Sequence, residues 1–185
     1  MTKCLISCGA NISGPLGKPS ETLKIVLEEL RKRNLEVVRK SKLYSSLAFP
    51  DPKEPKYLNR CLELKVDFKA VDVLKLLKQI ENKMGRLEGS RWGSRSCDLD
   101  LLSFANQISP STKVFDYWYK MPLEKQIVTK PNILLLPHPR LQDRAFVLKP
   151  LMEFAADWIH PVLNVSVKEM FNSLSKDDQD SVKPI

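Results

Sequence analysis

The chain has 185 residues, of which 43% are hydrophobic and 28% charged, which suits one globular domain with a buried core. It contains no run of the roughly eighteen apolar residues that a membrane span needs, and its first residues are too mixed for the apolar centre of a signal peptide. We therefore expect a cytoplasmic protein with no membrane partner. The formal net charge of +8 suits a polyanion, and charge alone does not distinguish nucleic acid from a nucleotide triphosphate.

Hydrophobic spacing divides the first part of the chain into strands and a helix. Lys3–Cys8 and Leu35–Tyr44 are apolar enough for strands. Between them, apolar residues recur at i, i+3, i+4 and i+7 from Leu23, which predicts an amphipathic helix. Beyond a proline-rich loop, apolar and charged residues alternate from Leu62 to Val66, as in a half-buried strand.

The same patterns continue in the second part. Apolar spacing from Val73 to Met84 predicts a second helix that Gly85 ends. Asp98–Phe104 alternates as a further strand, and a helix follows near Asp143–Ala156. The order β-α-β-β-α-β is that of a ferredoxin-like α+β fold, a single domain with helices packed on an antiparallel sheet.

Two remaining segments have distinct compositions. We place the domain at residues 1–161 and a C-terminal helix with a polar tail at 162–185, and we expect the charged end, Ser175–Ile185, to fray. Residues 105–132 form a long connection with a cluster of aromatic residues. Long connections are usually functional or disordered, and this one is too aromatic for a disordered linker. Because it begins directly after the Asp98–Phe104 strand, we expect an ordered flap over the sheet edge there, near the entrance for a nucleotide if the polyanion is a nucleotide triphosphate. A structural patch and a self-association surface remain alternatives.

Cysteine and histidine spacing does not favour a zinc site. The four cysteines form no C-x-x-C pair, and the two histidines are distant from them in sequence. Cys4 and Cys8 are better explained as small apolar residues in a buried strand.

Asp98-Leu99-Asp100 is the strongest candidate for chemistry. Residues i and i+2 of a strand point to one face, roughly 6.5 Å apart at the backbone. Two carboxylates so placed can hold one or two Mg²⁺ ions, while Leu99 and Leu101 point into a core. The alternative is a solvated strand face with two ordinary acids.

A cationic loop leads directly into this strand. Gly85–Arg95 carries three arginines interrupted by three glycines. Guanidinium groups bind phosphate oxygens with two parallel hydrogen bonds, and glycines let the backbone close over a ligand. Solvated arginines on a surface loop are the alternative. The loop is not a Walker A sequence, which excludes a P-loop ATPase.

The run Arg91-Trp92-Gly93-Ser94-Arg95-Ser96-Cys97-Asp98-Leu99-Asp100 resembles the signature of the 6-hydroxymethyl-7,8-dihydropterin pyrophosphokinase family. Three other stretches agree in order and type: Gly9-Ala10-Asn11, Tyr57-Leu58-Asn59 and Leu136-Pro137-His138-Pro139-Arg140 with the following Asp143–Leu148. The resemblance implies transfer of the β,γ-pyrophosphate of ATP to the pterin's hydroxymethyl oxygen, with release of AMP, in folate biosynthesis.

The resemblance also implies roles for individual residues. Asp98 and Asp100 would bind two Mg²⁺ ions and, with Arg86 and Arg95, would form the catalytic set. ATP would contact Glu81, Arg86, Arg91, Trp92, Arg95, Leu101, Leu134, His138 and Arg144. The pterin would contact Ser46, Leu47, Phe49, Tyr57, Asn59, Trp92 and Phe146. Lys78 and Pro139 stand where the family can carry a glutamine and a tyrosine, so neither is assigned.

Other readings of these residues remain open. Tyr57 and Phe146 are also typical core aromatics, and His138 between two prolines suits a turn. A nucleic-acid-binding module would carry an aromatic pattern on its strands that is missing here, so we expect no nucleic-acid partner. A regulatory domain that has lost catalysis has no use for the paired aspartates. We expect a monomer whose partners are ATP, the pterin and, through the resemblance, other enzymes of the folate pathway.

Overall fold

The computed structural model describes residues 1–49, 51–86, 93–129 and 131–185. The strands are β1 (Thr2–Ala10), β2 (Glu36–Lys40), β3 (Tyr44–Ser46), β4 (Tyr57–Val66), β5 (Asp98–Phe104) and β6 (Lys183–Pro184). The helices are α1 (Pro19–Lys32), α2 (Ala70–Lys83), α3 (Thr112–Tyr119), α4 (Leu123–Val128), α5 (Ala145–Leu151), α6 (Val167–Ser173) and α7 (Lys176–Ser181). The predicted ferredoxin-like α+β fold is confirmed, with the second strand divided into β2 and β3.

The sheet places the ends of three strands side by side. Its order is β5-β1-β4-β3-β6, β2 pairs with the far part of β4, and the described pairings are antiparallel. Gly9 of β1 lies opposite Asn59 of β4 on one side and opposite Asp98 of β5 on the other. Because directly opposed residues share a sheet face, these three positions form a row across one face.

Two hydrophobic cores cover the two faces of the sheet. The first lies under α1 and α2 and includes Cys4, Cys8, Cys97 and Leu99. The second lies under α5 and α6 and includes Cys61. The row of Gly9, Asn59 and Asp98 therefore lies on the α5 face, whereas Leu99 and Leu101 are buried on the opposite face, as predicted.

Glu29 ties α1 to α2. Its side chain is only 2% exposed and accepts hydrogen bonds from Arg33 at 2.6 Å, Lys83 at 2.9 Å and Lys32 at 3.1 Å. These bonds, Arg33 foremost, lower the pKa of Glu29 to about 2. Lys83 is the last residue of α2, so the carboxylate of Glu29 links the C-terminal ends of α1 and α2.

The C-terminal segment differs from the prediction. The expectation that Ser175–Ile185 frays is wrong, because α7 and β6 form there and Val182 is 1% exposed. The three acidic residues of α7 led us to expect a fully solvated segment. Burial of the single side chain of Val182 is enough to fix the segment to the domain. The predicted helix near Asp143–Ala156 is shorter, and α5 ends at Leu151, just past Pro150.

The connection after β5 forms α3 and α4. The ring of Phe115 in α3 is fully buried, with its centroid 5.3 Å from that of His160, whereas Tyr117 is 65% exposed. The backbone of Ser109 exchanges hydrogen bonds of 2.9 and 3.1 Å with Leu136. The segment is thus an ordered cover held at these two points, and a role at the nucleotide entrance stays a prediction. None of the described helices is long and apolar enough to cross a membrane.

Candidate active site

Strand β5 carries two partly exposed carboxylates on the α5 face. The side chains of Asp98 and Asp100 are 26% and 27% exposed, while Leu99 between them is fully buried. This is the alternation that the sequence predicts. The antiparallel partner β1 presents Gly9 and Ser7 opposite the two aspartates, so small residues leave the space beside the carboxylates open.

Three arginines from two separate parts of the chain converge on these carboxylates. Nη1 of Arg86 donates to Asp98 Oδ1 at 2.9 Å, and Arg95 donates to the same oxygen. Nη1 of Arg144 donates to Asp100 Oδ2 at 3.2 Å. The cationic loop and the segment before α5 therefore meet at one end of β5.

Glu81 of α2 holds both Arg86 and the backbone of β5 in place. Its fully buried carboxylate accepts a hydrogen bond from the backbone of Leu99 at 2.7 Å and also pairs with Arg86 and Lys78. Burial raises the pKa of Glu81, and the neighbouring cations oppose that shift. Glu81 thus connects α2, β5 and Arg86. The unassigned Lys78 lies here as well, 2.8 Å from Glu81 Oε2.

His138 lies beside Asp100 at the edge of the sheet. Its backbone N–H donates to Leu102 of β5 at 2.8 Å, and its Nδ1 accepts from the backbone of Arg140 at 3.1 Å. Burial and Arg144 lower the pKa of His138 to about 4, so the ring is neutral at pH 7. The neutral ring then carries its proton on Nε2, which is free to act as a hydrogen-bond donor.

Asp100 is ionised at neutral pH. Burial alone would raise its pKa, but neighbouring positive charges outweigh burial and hold the pKa of Asp100 below its usual range, first that of His138 in its protonated form and then that of Arg144. An anionic carboxylate is the form that binds a divalent cation.

Aromatic and amide side chains lie next to the carboxylates. Asn59 Nδ2 donates to Ser46 Oγ at 2.9 Å, and both side chains are 5% exposed. A Cβ at Gly9 would lie 3.1 Å from Asn59 Oδ1 and 3.5 Å from Tyr57 Cδ1. The ring of Phe146 lies below Arg144, with the guanidinium carbon 5.6 Å from its centroid. Arg144 therefore contacts both the carboxylate site and Phe146.

The other predicted contacts lie farther from this centre or outside the description. Leu101 is buried in the core under α1 and α2, and Leu134 packs against the same core. Leu47 and Phe49 are 50% and 47% exposed in the loop after β3. Arg91 and Trp92 lie outside the described residues.

Sequence reasoning missed the position of Asn11. Its Oδ1 accepts from the backbone of Arg95 at 2.6 Å, and its Nδ2 donates to Pro55 O and Ser94 Oγ, both at 3.0 Å. One buried amide thus joins the loop before β4 to the segment before β5. The only signal in the sequence was the resemblance of Gly9-Ala10-Asn11, which assigned no contact.

The two aspartates suit Mg²⁺ better than a metal enclosed by protein. No group of three or more His, Cys, Asp or Glu side chains in the described ranges could hold a metal ion. Mg²⁺ is commonly bound by one or two carboxylates together with substrate phosphates. Asp98 and Asp100 therefore fit Mg²⁺ that arrives with a polyphosphate.

Residues 5–156 match the family model described as 7,8-dihydro-6-hydroxymethylpterin-pyrophosphokinase, HPPK. The chain belongs to the HPPK family. Membership confirms the predicted enzyme class, an ATP-dependent pyrophosphokinase of folate biosynthesis.

Two curated relatives share much of the chain. It is 34% identical over 151 residues to a 2-amino-4-hydroxy-6-hydroxymethyldihydropteridine pyrophosphokinase of Synechocystis sp., covering 81% of this chain and 67% of that protein. It is 29% identical over 171 residues to the protein of the same name from Aquifex aeolicus, covering 91% and 90%.

The fold is shared with wild-type HPPK-DHPS of Plasmodium falciparum, whose crystal structure matches with a TM-score of 0.64 at 14% identity. That match covers 92% of this chain and 44% of the HPPK-DHPS chain, so this chain spans less than half of that relative. At such low identity the likeness shows the HPPK fold and no residue-level role.

Proposed function

We propose that this chain transfers pyrophosphate from ATP to the hydroxymethyl group of 6-hydroxymethyl-7,8-dihydropterin and releases AMP. The observation that carries the proposal is the convergence of Arg86, Arg95 and Arg144 on the two aspartates of one strand face. The nearby side chains of Tyr57, Asn59 and Phe146 are the proposed pterin slot. This arrangement supports a polyphosphate site next to a site for a flat heterocycle.

The phosphate half of the site supplies charge and positioning. Asp98 and Asp100 would hold two Mg²⁺ ions, which would supply positive charge beside the triphosphate. The three arginines pair with these carboxylates. Their guanidinium groups would also be suited by geometry to contact the phosphates. His138 adds a neutral donor at Nε2.

The pterin half of the site supplies orientation. Tyr57 and Phe146 offer aromatic faces for a planar ring, and the Asn59 amide offers a donor and an acceptor to its polar edge. The hydroxymethyl oxygen bonds to the β-phosphorus and its proton passes to water, while the bond from that phosphorus to the oxygen of AMP breaks and AMP leaves with that oxygen. Such transfers depend chiefly on positioning and electrostatic stabilisation.

A turnover assay tests the proposed reaction. Purified protein with Mg²⁺, ATP and 6-hydroxymethyl-7,8-dihydropterin should form AMP and the pterin pyrophosphate in equal amounts. Omission of either the pterin or Mg²⁺ should stop AMP formation. Formation of ADP, or of AMP at the same rate without the pterin, would refute the assignment.

We also propose a cellular compartment, a partner and an oligomeric state for the enzyme. Four free, buried cysteines suit a reducing compartment such as the cytoplasm. Because the HPPK fold occurs in one chain with DHPS in Plasmodium falciparum, association of this chain with another folate-pathway enzyme is a reasonable partner hypothesis. We propose that the active unit is a monomer, which size-exclusion chromatography with light scattering can test.

A further inference from the structure

The segment after the family match contributes to the sheet that carries the site. The family model ends at residue 156, whereas β6, at Lys183–Pro184, pairs antiparallel with β3. The backbone N–H of Ile185 also donates to Leu43 O at 2.9 Å. The C-terminal segment therefore supplies a strand to the edge of β3.

Strand β3 in turn forms one wall of the proposed pterin slot. Ser46 lies opposite Tyr57 in the register with β4, and its hydroxyl accepts the hydrogen bond from Asn59. With only three residues, β3 has few bonds of its own to fix its position. Pairing on both edges by β4 and β6 compensates for that short length.

Val182 connects β3 to the opposite wall. Its side chain is 1% exposed and packs in a small cluster with Tyr44 of β3 and Ala145 of α5. Phe146, the proposed stacking residue, packs against the same cluster. One aliphatic side chain thus belongs to the cluster that joins the strand carrying Ser46 to the helix carrying Phe146.

A second contact holds the segment in place. Lys149 of α5 donates from Nζ to Gln179 O of α7 at 2.8 Å. The segment is therefore attached to α5 on one side and to β3 on the other, at points that flank Val182.

We propose that Val182 and β6 are positioning elements for the pterin, which set the distance between Phe146 and the β3–β4 wall. This proposal rests on the proposed placement of the pterin between Tyr57 and Phe146. Val182 does not touch the substrate. Removing part of its side chain lets α5 and β3 shift relative to each other, and misplacement of a bound ring by a fraction of an ångström weakens its binding. The phosphate site should change less, because Asp98, Arg86 and Arg95 lie outside α5 and β3 and only Arg144 would move with α5.

The test compares two valine-to-alanine variants that remove the same atoms on opposite faces of the sheet. Val182→Ala should raise the KM for pterin at least about threefold, with a clearly smaller change in the KM for ATP. Val73→Ala removes a fully buried valine from the core under α1 and α2 and should lower the melting temperature without changing the pterin KM. Val182→Ile, which keeps the buried contact, should retain a pterin KM near that of the wild type.

A milder variant covers the case in which Val182→Ala fails to fold. Ile185→Pro removes the N–H that bonds to Leu43 while leaving Val182 in place, and Ile185 is 70% exposed. It should also raise the pterin KM selectively. Equal rises for both substrates, an effect of Val73→Ala as large as that of Val182→Ala, or an unchanged pterin KM in folded Val182→Ala would overturn the inference.

Failure of the underlying site assignment has a different signature. If Phe146→Ala leaves pterin binding unchanged, the pterin does not stack there and the proposed site is wrong. If Phe146→Ala weakens pterin binding selectively while Val182→Ala does not, the site stands and the positioning role is refuted.

Discussion

Replacing Asp98 with asparagine removes one negative charge from the strand face and preserves the shape of the side chain. The residues that bond to it, Arg86 and Arg95, are 24% and 19% exposed, and Asp98 itself is 26% exposed. Because these side chains are mostly buried, loss of the ion pairs should cost more than the about 0–1 kcal/mol of an exposed pair and less than the about 3–5 kcal/mol of a buried one, roughly 1–2 kcal/mol. For a chain of this size that corresponds to a drop in melting temperature of roughly 2–8 °C.

The expected effect of Asp98→Asn on catalysis is larger. Loss of charge stabilisation by a metal ion should cost about 3–4 kcal/mol in the transition state, which corresponds to a rate loss of about 10²–10³-fold. The assay follows AMP formation at saturating ATP and pterin across a Mg²⁺ titration, beside thermal unfolding of the same preparations. The same loss is expected for Asp100→Asn.

A surface acid provides the matched control. Asp72 of α2 lies 3.8 Å from Lys75 and its side chain is 45% exposed, so Asp72→Asn should change neither rate nor Mg²⁺ dependence. Retention by Asp98→Asn of more than about a tenth of the wild-type rate, a loss below roughly 1.4 kcal/mol, would refute the metal assignment. Unfolding of the variant at the assay temperature would instead show that Asp98 is structural.

Three further predictions concern the pterin slot and the helix layer. Phe146→Ala should weaken pterin binding by about 1–3 kcal/mol, the size of stacking on a flat ring, with the ATP Kd unchanged by calorimetry; equal losses would mark Phe146 as a core residue. Gly9→Ala places a methyl group 3.1 Å from Asn59 Oδ1, so the pterin KM should rise, and an unchanged KM would show that the slot does not reach Gly9. The pKa of Glu29 is lowered from 4.5 to about 2, chiefly by Arg33, so its stabilising effect is complete above pH 4.5 and lost as the pH falls toward 2. The difference in melting temperature between wild type and Glu29→Gln should narrow over that window; a constant difference would contradict this.

Local patterns predicted much of the fold and the chemical centre of the site. Alternation in β5 is a property of neighbouring residues, so the sequence correctly assigned Asp98 and Asp100 to one face and Leu99 to the core. The apolar spacing of α1 and α2 located both helices for the same reason. These features depend on side chains within one or two turns of each other.

Contacts between distant segments were beyond the same reasoning. Asn11 is 83 residues from Ser94, and no periodicity links an amide in one loop to a hydroxyl in another. The burial of Val182 was also unpredictable, because one apolar residue among charged neighbours forms no periodic pattern. Val182 is buried between α5 and β3, and these two elements come together only after the sheet has formed. The pairing of Arg144 with Asp100 likewise requires tertiary structure.

The placement of the cysteines allows local unfolding to be followed separately on each side of the sheet. Cys4, Cys8 and Cys97 lie in the core under α1 and α2, and Cys61 lies in the core under α5 and α6. Burial raises the pKa of each thiol, that of Cys4 to about 12, and only the thiolate reacts readily with alkylating or disulfide reagents. Labelling therefore requires local unfolding, and the rate at each thiol reports the opening of its own layer. The native sequence thus contains separate chemical reporters for the two sides of its sheet, and mass spectrometry of the modified peptides can determine which layer separates first.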